Sequence, residues 1–318
     1  MIVIPHTDIV RLQIPPRECV AWIRESFNLK KQAVLPTKLS IHPRGEDFFN
    51  TMPCLLPQRG DGRQFFGVKI VDRIVGNAPS LSSEILLYDA FTGRLLAMLD
   101  GDWITTMRTG AVATLAAQLF RNTDEATYGL IGLGNTARAT LLCLLDTEPE
   151  TVHHVRLLRY KDQAERFIER FSAYDNVCFS IDDEAPQLVA QSDVIISCVT
   201  AAPQLLCPDD SCFREGVVVI PVHTRGFQNC DLFFDRVVCD DKGHVSNFRY
   251  YDRFRNFCEM SDVLDGSHPG RQHSEERILC YNIGLGLHDV LFASKILERT
   301  GDAGLEVQLD KETRKYWI

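Results

Sequence analysis

The stretch that most constrains the fold of this chain covers residues 128–145, Y-G-L-I-G-L-G-N-T-A-R-A-T-L-L-C-L-L. An apolar strand pattern leads through a glycine turn directly into an apolar helix pattern. The spacing G-x-G-x-x-A is that of the turn that holds a dinucleotide pyrophosphate in a strand–turn–helix unit. It therefore predicts a nucleotide site on a Rossmann-type unit. A purely structural turn and a methyltransferase-type nucleotide site are the alternatives.

The turn residues are candidate cofactor contacts, each for a different physical reason. Gly132 permits the sharp exit from the strand, Gly134 lets the backbone approach the phosphates, and the small Ala137 lets helix and strand pack closely. Asn135 and Thr136 open the helix, whose free N–H groups and positive dipole end attract an anion.

Strand and helix patterns alternate from residue 126 onward, and the strands, such as D-V-I-I-S-C-V-T and G-V-V-V-I-P-V, are almost continuously apolar. This texture is typical of a parallel sheet covered by helices on both faces. Residues 1–100 instead read as short strands with turns, and an amphipathic helix pattern returns in the last 35 residues. We predict an α/β protein with a doubly wound Rossmann domain at residues 120–285, inserted into an α+β domain of residues 1–119 plus 286–318.

Composition limits the classes of partner. A net charge of −9 argues against a nucleic-acid surface, and no apolar run approaches the roughly 18 to 20 residues of a membrane span. The 11 cysteines form no C-x-x-C pair, and no His, Cys and carboxylate spacing suggests a metal site. With no recognisable signal peptide, buried reduced thiols in a cytoplasmic protein are the expectation.

The end of the second Rossmann strand bears on the choice between NAD and NADP. An acid at this position would accept hydrogen bonds from the ribose 2′-OH of NAD. The chain instead has Arg159 and Lys161 there, and cations favour the 2′-phosphate of NADP. Asp162 keeps NAD open, and a solvated strand end is the structural alternative. The sequence slightly favours NADP.

Three cations in the first half are candidate anion ligands: Arg44 in H-P-R-G, Lys69 in G-V-K-I-V and Arg108 in T-M-R-T-G-A. The strand pattern around Lys69 also allows a plain solvent-facing lysine. With Thr105 or Thr106 as N-cap, Arg108 falls in the first turn of a helix, where the dipole disfavours a cation by about 0.3–1 kcal/mol. An anionic partner would explain that placement.

These segments, taken with their surroundings, resemble the ornithine cyclodeaminase and mu-crystallin family over nearly the whole chain. The similar segments are H-P-R-G followed by T-M-P, G-V-K-I-V, N-A-P-S-L-S-S-E-I-L-L-Y-D-A-F-T-G-R-L-L-A-M-L-D-G, T-T-M-R-T-G-A-V-A-T-L-A-A and Y-N-I-G-L-G-L-H-D. The resemblance implies a homodimer with a Rossmann domain and a substrate-binding and dimerisation domain. It also implies NAD(P)-dependent chemistry at the Cα–N bond of an amino acid.

Carried over position by position, the resemblance implies two sets of site residues. In the substrate set the arginines bind the carboxylate and the lysine contacts it or assists proton transfer; its members are Arg44, Met52, Lys69 and Arg108. Beyond the glycine turn and the strand-end cations, the cofactor set consists of Ser80, Arg108, Thr200 and Asn282. Ser80 and Asn282 would lie near the nicotinamide, and Thr200 near the ribose.

The chain departs from the family at positions that matter for ornithine cyclisation. Phe227 aligns with the acid of proline-forming cyclodeaminases, so Asp231 becomes a substitute base, with a turn or capping role as its alternative. His223, after the fourth strand, is a further candidate for proton relay or for contact with nicotinamide or substrate. Asn50 stands where ornithine-specific members have Glu, and Ser83 replaces a usual glycine.

Three functional hypotheses follow. The first is an NAD(P)-dependent oxidoreductase that reduces an imino acid or oxidatively deaminates an amino acid. The second is a cyclodeaminase-type lyase that converts L-ornithine to L-proline and ammonia with NAD recycled. The third is a non-catalytic protein that retains the nucleotide site for binding alone. The three cations argue against this last hypothesis.

Overall fold

The structure, a computed structural model, describes residues 1–222, 225–301, 304–309 and 314–315. Its contacts divide the chain into two units. The first unit consists of Met1–Ile14, Lys31–Thr105 and Gly286–Ile318, and the second of Pro15–Lys30 and Thr106–Leu285. Within the described residues, no helix combines the length and the apolar character that a membrane crossing requires.

The described strands are β1 (Ile2–Ile4), β2 (Leu39–Ile41), β3 (Phe48–Leu55), β4 (Phe65–Arg73), β5 (Leu81–Asp89), β6 (Leu95–Asp100), β7 (Thr127–Ile131), β8 (His153–Leu158), β9 (Val177–Asp182), β10 (Val194–Ser197), β11 (Val218–Pro221), β12 (Arg236–Cys239), β13 (Cys258–Glu259), β14 (Ile278–Tyr281) and β15 (Leu305–Glu306). The described α-helices are α1 (His6–Arg11), α2 (Pro16–Leu29), α3 (Asp102–Phe120), α4 (Asn135–Thr147), α5 (Gln163–Arg170), α6 (Ala185–Ala190), α7 (Cys230–Phe233), α8 (Lys242–Val245), α9 (Met260–Leu264) and α10 (Gly286–Thr300).

The sheet of the second unit has the strand order β13-β12-β14-β11-β10-β7-β8-β9, and its strand pairs are parallel. β10, β11, β12 and β14 are buried along their whole length, as expected for a sheet covered on both faces. The chain order reverses between β7 and β10, and ligands of such sheets bind at this switch point beyond the carboxyl ends of the strands. The predicted doubly wound Rossmann-type sheet is confirmed.

The sheet of the first unit has the order β15-β1-β6-β5-β4-β3-β2 and is antiparallel from β6 to β2. Helix α10 lies on one face of this sheet. A Cβ atom added at Gly67 in β4 would stand 2.7 Å from Val290, and one at Gly286 would stand 2.7 Å from the carbonyl oxygen of Met52. The small residues therefore let α10 approach the strands, and this face of β3, β4 and β5 is buried.

The division into units differs from the boundary predicted at residue 120, because the second unit also contains α2 and most of α3. Both helices lie against α4. The backbone N–H of Arg17 in α2 donates to Asp146 at 2.7 Å. A Cβ atom at Gly110 in α3 would stand 2.5 Å from the backbone nitrogen of Thr140. The Ala- and Gly-rich face of α3 thus packs on the Rossmann unit.

Helix α3 begins earlier than the sequence pattern suggested. The Asp100 carboxylate accepts the N–H of Asp102 at 3.1 Å, so the first turn forms at Asp102, and neither Thr105 nor Thr106 is the N-cap. Arg108 consequently lies in the second turn. The helix dipole falls off within the first turn, so it does not disfavour Arg108, and the predicted placement of this cation in the first turn is wrong.

Candidate functional site

The glycine turn of the second unit joins β7 to α4. Gly132 has a φ of +82°, which L side chains rarely adopt, and a Cβ atom there would stand 2.7 Å from the backbone nitrogen of Val199. Only a glycine allows the turn to lie this close to the segment that follows β10. A Cβ atom at Gly134 would meet nothing within 4 Å. The space over Gly134 is open.

The N-terminus of α4 lies directly beside this open space. Gly134 is its N-cap and has no side chain that could accept a hydrogen bond from the first turn. Asn135 is exposed and Thr136 half-buried, while Ala137 is buried against the sheet. A helix N-terminus without a side-chain cap, beside open space, suits a phosphate. The turn residues therefore fit the pyrophosphate of a dinucleotide.

Two buried polar atoms close to the ends of the parallel strands support this fit. Within the described residues, no hydrogen-bond partner exists for Ser197 Oγ or Asn282 Oδ1. Ser197 ends β10 and pairs in register with Ile131, directly before the glycine turn. Asn282 follows β14, and its Nδ2 donates to the sulphur of Met260 at 3.4 Å. A bound group with hydrogen-bond donors would satisfy both oxygens.

Arg108 contacts the segment that contains Asn282. Gly284 has a φ of +97°, and a Cβ atom there would collide with the Arg108 guanidinium. The carboxylate of Asp240 accepts the N–H groups of Ile283 at 2.7 Å and of Gly284 at 2.5 Å. The second unit thus brings two predicted residues, Arg108 and Asn282, to one fixed segment.

In the first unit, Lys69 is fully buried and its Nζ lies 2.7 Å from Oδ2 of Asp289, which is also fully buried. Lys69 pairs in register with Met52 on β3 and Ile85 on β5, both on the face beneath α10. The solvent-facing alternative for this lysine is wrong, because α10 covers that face and brings its own carboxylate to it.

Asp289 was not among the residues predicted from the sequence. A signal was available, since Asp289 lies three, four and seven positions before residues of the same apolar helix face, namely Phe292, Ala293 and Ile296. A carboxylate on such a face needs a partner, because a buried unpaired charge is strongly disfavoured. The pattern indicates a buried ion pair but does not name the strand that supplies the cation.

Arg44 and Ser80 have different surroundings. The Arg44 side chain is 81% exposed and lies 3.6 Å from Asp47, in the loop between β2 and β3. Ser80 is half-buried in the turn between β4 and β5, where its carbonyl accepts the N–H of Ile74 at 2.9 Å. Arg44 therefore faces solvent, whereas Lys69 lies in the interior.

Of the two predicted cations at the end of the second Rossmann strand, Arg159 already donates hydrogen bonds to carboxylates. Arg159 donates to Asp183 at 2.6 Å and to Glu165. These hydrogen bonds raise the pKa of Arg159. Lys161 is exposed, has a φ of +53°, and its Nζ lies 5.3 Å from the centre of the Tyr160 ring. A 2′-phosphate at Arg159 would compete with two carboxylates.

Asp231 lies in the second unit at the start of the short helix α7. It is buried, accepts the hydroxyl of Tyr281 at 2.7 Å, and burial raises its pKa to about 6. It also lines a cleft of about 1000 Å³ together with Asn229, Phe248 and Arg249. A carboxyl group with such a pKa can accept or donate a proton near neutral pH.

The other predicted residues lie at the ends of strands, in the core or outside the described part of the chain. Thr200 is exposed beyond the end of β10. Phe227, aligned with the cyclodeaminase acid, belongs to the buried apolar core. His223 lies outside the described residues. Among the residues that the structure describes, no three His, Cys, Asp or Glu side chains are grouped as a metal site.

Comparison with known proteins agrees with this architecture. The model of the ornithine cyclodeaminase/mu-crystallin family matches residues 6–304. The nodulation efficiency protein NfeD of Rhizobium meliloti is 27% identical over 85% of each chain. A Delta(1)-pyrroline-2-carboxylate reductase of Colwellia psychrerythraea is 27% identical over 70% of this chain and 75% of the relative.

A solved structure extends the likeness to the fold. The Thermococcus litoralis Delta(1)-pyrroline-2-carboxylate reductase, in complex with NADH and L-proline, superposes with a TM-score of 0.82 at 23% identity. It covers 96% of this chain and 100% of its own. Since the family match covers residues 6–304 and so spans every element from α1 through α10, the chain belongs to the ornithine cyclodeaminase/mu-crystallin family.

Proposed function

We propose that this protein reduces an imino acid at its Cα–N bond with a nicotinamide dinucleotide. The protein is an NAD(P)-dependent oxidoreductase of its family, and a reductase from Colwellia is among its relatives. The observation that carries the proposal is the Lys69 ammonium, which Asp289 fixes beneath α10 at 2.7 Å. A pure binding protein has no evident use for so costly a buried pair.

The roles of the residues follow from what imine reduction needs. The bound dinucleotide supplies the hydride. Arg44 and Arg108 are the proposed ligands of the substrate carboxylate, and a two-pronged guanidinium fixes the orientation of such a group. Lys69 is the proposed proton donor to the imine nitrogen. The Asp289 carboxylate lies 2.7 Å from that lysine, and an adjacent carboxylate favours the charged form of an amine.

The side chain at position 50 supports reduction over ornithine cyclisation. Asn50 is on β3, two residues before Met52, on the same face of the sheet. Its Oδ1 is buried and has no hydrogen-bond partner among the described residues. A neutral amide oxygen can accept a hydrogen bond, but it does not neutralise a second ammonium group as a carboxylate does. We therefore propose a substrate without a charged side-chain amine.

One observation favours the lyase as a second candidate. The pKa of Asp231, about 6, is suited to a base that removes a proton near neutral pH. Asp231 would then take the role of the acid that proline-forming cyclodeaminases have at the position of Phe227. The lyase predicts release of ammonia from L-ornithine with no net change in the amount of reduced cofactor.

The contacts of Arg159 shift the proposed cofactor toward NAD. The sequence slightly favoured NADP, but Asp183 and Glu165 already hold the Arg159 guanidinium. A 2′-phosphate would have to displace them or sit beside them, whereas a 2′-OH can donate to a carboxylate. We therefore propose NADH as the better substrate, with NADPH still accepted.

We also propose that the protein is a homodimer, as the family resemblance implies. The molar mass in solution, measured by light scattering during size-exclusion chromatography, tests this. A monomeric mass at micromolar concentration would contradict it.

The function is tested by spectrophotometry. Purified protein is mixed with NADH or NADPH and a panel of cyclic imines or of 2-oxo acids with amines. L-ornithine with NAD is scored in parallel for proline and ammonia. Loss of nicotinamide absorbance with an imine, abolished in Lys69→Ala, is expected. Proline and ammonia from ornithine would instead establish the lyase, and silence in both assays with cofactor still bound would favour the binding role.

A further inference from the structure

A buried proton donor needs a route by which it regains its proton. Lys69 is fully buried, and so is Asp289, its ion-pair partner. If Lys69 gives a proton to the imine nitrogen, water must replace that proton before the next turnover. A second set of contacts on the first unit leads away from Lys69 to a side chain that reaches the surface.

The contacts form a continuous chain of polar atoms. Nζ of Lys69 donates to Oγ1 of Thr105 at 3.4 Å. The hydroxyls of Thr105 and Ser83 lie 3.0 Å apart, and either can donate. The Ser83 hydroxyl in turn donates to Oδ1 of Asp102 at 3.2 Å. Two hydroxyls, each able to donate and accept, thus connect an ammonium group to a carboxylate.

The two ends of the chain differ in their access to water. Ser83 is 1% exposed, whereas Asp102 is only half-buried. The backbone N–H of Ser83 also donates to Asp102 Oδ1 at 2.7 Å, which fixes the carboxylate toward the serine. Ser83 is a position at which this chain departs from the glycine usual in the family. A glycine would leave no hydroxyl between Thr105 and Asp102.

The charges around Asp102 favour proton uptake. Burial and the neighbouring Asp100 raise the pKa of Asp102, so its carboxyl form persists to higher pH than usual. Glu84 also faces this group, and Asp72 lies near Glu84. The imidazole Nδ1 of His6 lies 3.4 Å from Oδ1 of Asp100. At the inner end, the Asp289 carboxylate faces Lys69.

We propose that Thr105, Ser83 and Asp102 form a proton relay that reprotonates Lys69. The inference rests on the proposed reductase function. With the dinucleotide bound, its hydride would form the new C–H bond, and the electron pair of the C=N π bond would become a nitrogen lone pair that takes a proton from the Lys69 ammonium. Asp102 then passes its proton to Ser83, Ser83 passes one to Thr105, and Thr105 passes one to Lys69. The Asp102 carboxylate takes its next proton from water.

The decisive variant is Ser83→Ala, which removes the linking hydroxyl and nothing else. Its matched control is Ser82→Ala, because the Ser82 hydroxyl donates to the other oxygen of Asp102 at 3.4 Å and lies outside the chain of contacts. We expect kcat for imine reduction to fall about tenfold or more in Ser83→Ala, with KM changed less than about twofold. Ser82→Ala should retain both constants.

A second measurement needs neither cofactor nor turnover. In protein labelled with 15N-lysine, NMR reports how fast the Lys69 ammonium hydrogens exchange with water, and Lys69→Arg assigns the signal. We expect exchange to be about tenfold slower in Ser83→Ala and unchanged in Ser82→Ala. A merely structural role of Ser83 would lower the unfolding temperature but would not slow this exchange.

Several outcomes overturn the relay. The relay is overturned if Ser83→Ala keeps the wild-type rate of ammonium exchange and the wild-type kcat. It is also overturned if Ser82→Ala loses as much of either quantity as Ser83→Ala does. If Ser83→Ala does not fold, Asp102→Asn replaces it, because the amide keeps the hydrogen-bonding shape but supplies no acidic proton; normal exchange in Asp102→Asn would also overturn the relay. If the wild type reduces no imine, the proposed function fails, while the exchange measurement still decides the relay.

Discussion

The two units build their candidate sites from different materials. In the second unit the site is mostly backbone: a glycine turn, an uncapped helix N-terminus and the ends of parallel strands. In the first unit it is side chains, above all the buried Lys69–Asp289 pair and the hydroxyls beside it. A site built from backbone needs positions whose side chains are small or missing, as in glycine. A site built from side chains needs partner residues that lie far apart in the sequence. A single sequence therefore reveals the backbone site through its glycine spacing but does not show which distant residues meet in the side-chain site.

The difference also has an energetic side. The glycines of the second unit cost little to maintain, because their function is to leave space. The pair in the first unit removes two charges from water and recovers that cost only through close contact. Breaking the buried pair of the first unit is therefore expected to cost stability, whereas a side chain in the open space over Gly134 is expected to cost cofactor affinity.

The largest expected effect is at Asp289. Asp289→Ala leaves the Lys69 ammonium buried without its carboxylate, which should lower the free energy of unfolding by about 3–5 kcal/mol. Urea denaturation followed by circular dichroism measures it. The double variant Lys69→Met with Asp289→Leu is the control, because replacing both charges restores packing; it should recover most of the stability but no reductase activity. A loss below about 1 kcal/mol in Asp289→Ala would show that the pair is solvated.

The two turn glycines give the next effect and a direct contrast. Gly132→Ala forces a side chain into a φ of +82° and a Cβ atom to within 2.7 Å of Val199, so we expect a loss of about 3 kcal/mol in stability together with weakened NADH binding. Gly134→Ala puts its methyl group in open space at an ordinary φ of −80°, so stability should stay unchanged.

Affinity separates the two substitutions further. The methyl group of Gly134→Ala stands where we place the pyrophosphate, so the Kd for NADH, measured by fluorescence titration, should rise about tenfold or more, which corresponds to about 1.4 kcal/mol. Unchanged affinity in that variant would remove the glycine turn from the cofactor site. The proposal that the second unit binds the pyrophosphate of the dinucleotide at this turn would then be wrong.

The features that were predictable from the sequence lie mostly in the second unit, and those that were not lie mostly in the first. The Rossmann sheet and the order of its elements were predictable, because apolar strands alternating with helices leave few alternatives. The environment of Lys69 was not, since its partner is on α10, more than 200 positions away along the chain. The start of α3 was missed because the first helical N–H group, that of Asp102, donates to the Asp100 carboxylate on the preceding strand, rather than to a threonine within the helix pattern.

Asp231 allows a test of the second unit through pH. Its pKa in the folded protein is about 6, above the value of about 3.9 in an unfolded chain. Between these values the folded state binds more protons than the unfolded state, so stability falls as pH rises from about 4 through 6. Asp231→Asn removes this titration but can still accept the Tyr281 hydroxyl. We expect the free energy of unfolding of the variant, relative to that of the wild type, to rise by about 2 kcal/mol from pH 4 to pH 7.

Urea denaturation at several pH values measures this difference. A constant gap between the two proteins from pH 4 to pH 7 would mean that Asp231 titrates at an ordinary pKa. Its candidacy as the base of a lyase would then lose its physical support. The ornithine assay on the same variant separates stability from chemistry, because a base is needed only for turnover.

The smallest expected effect concerns cofactor choice at the end of the second Rossmann strand. Asp183→Ala frees the Arg159 guanidinium from one of its two carboxylates, so the ratio of kcat/KM for NADPH to that for NADH should rise about two- to fivefold. The effect is small because both side chains are exposed to solvent, where salt screens their interaction. Arg159→Ala is the matched control and should shift the ratio the other way. If neither substitution moves the ratio, these side chains do not contact the ribose, and cofactor preference is set elsewhere on the second unit.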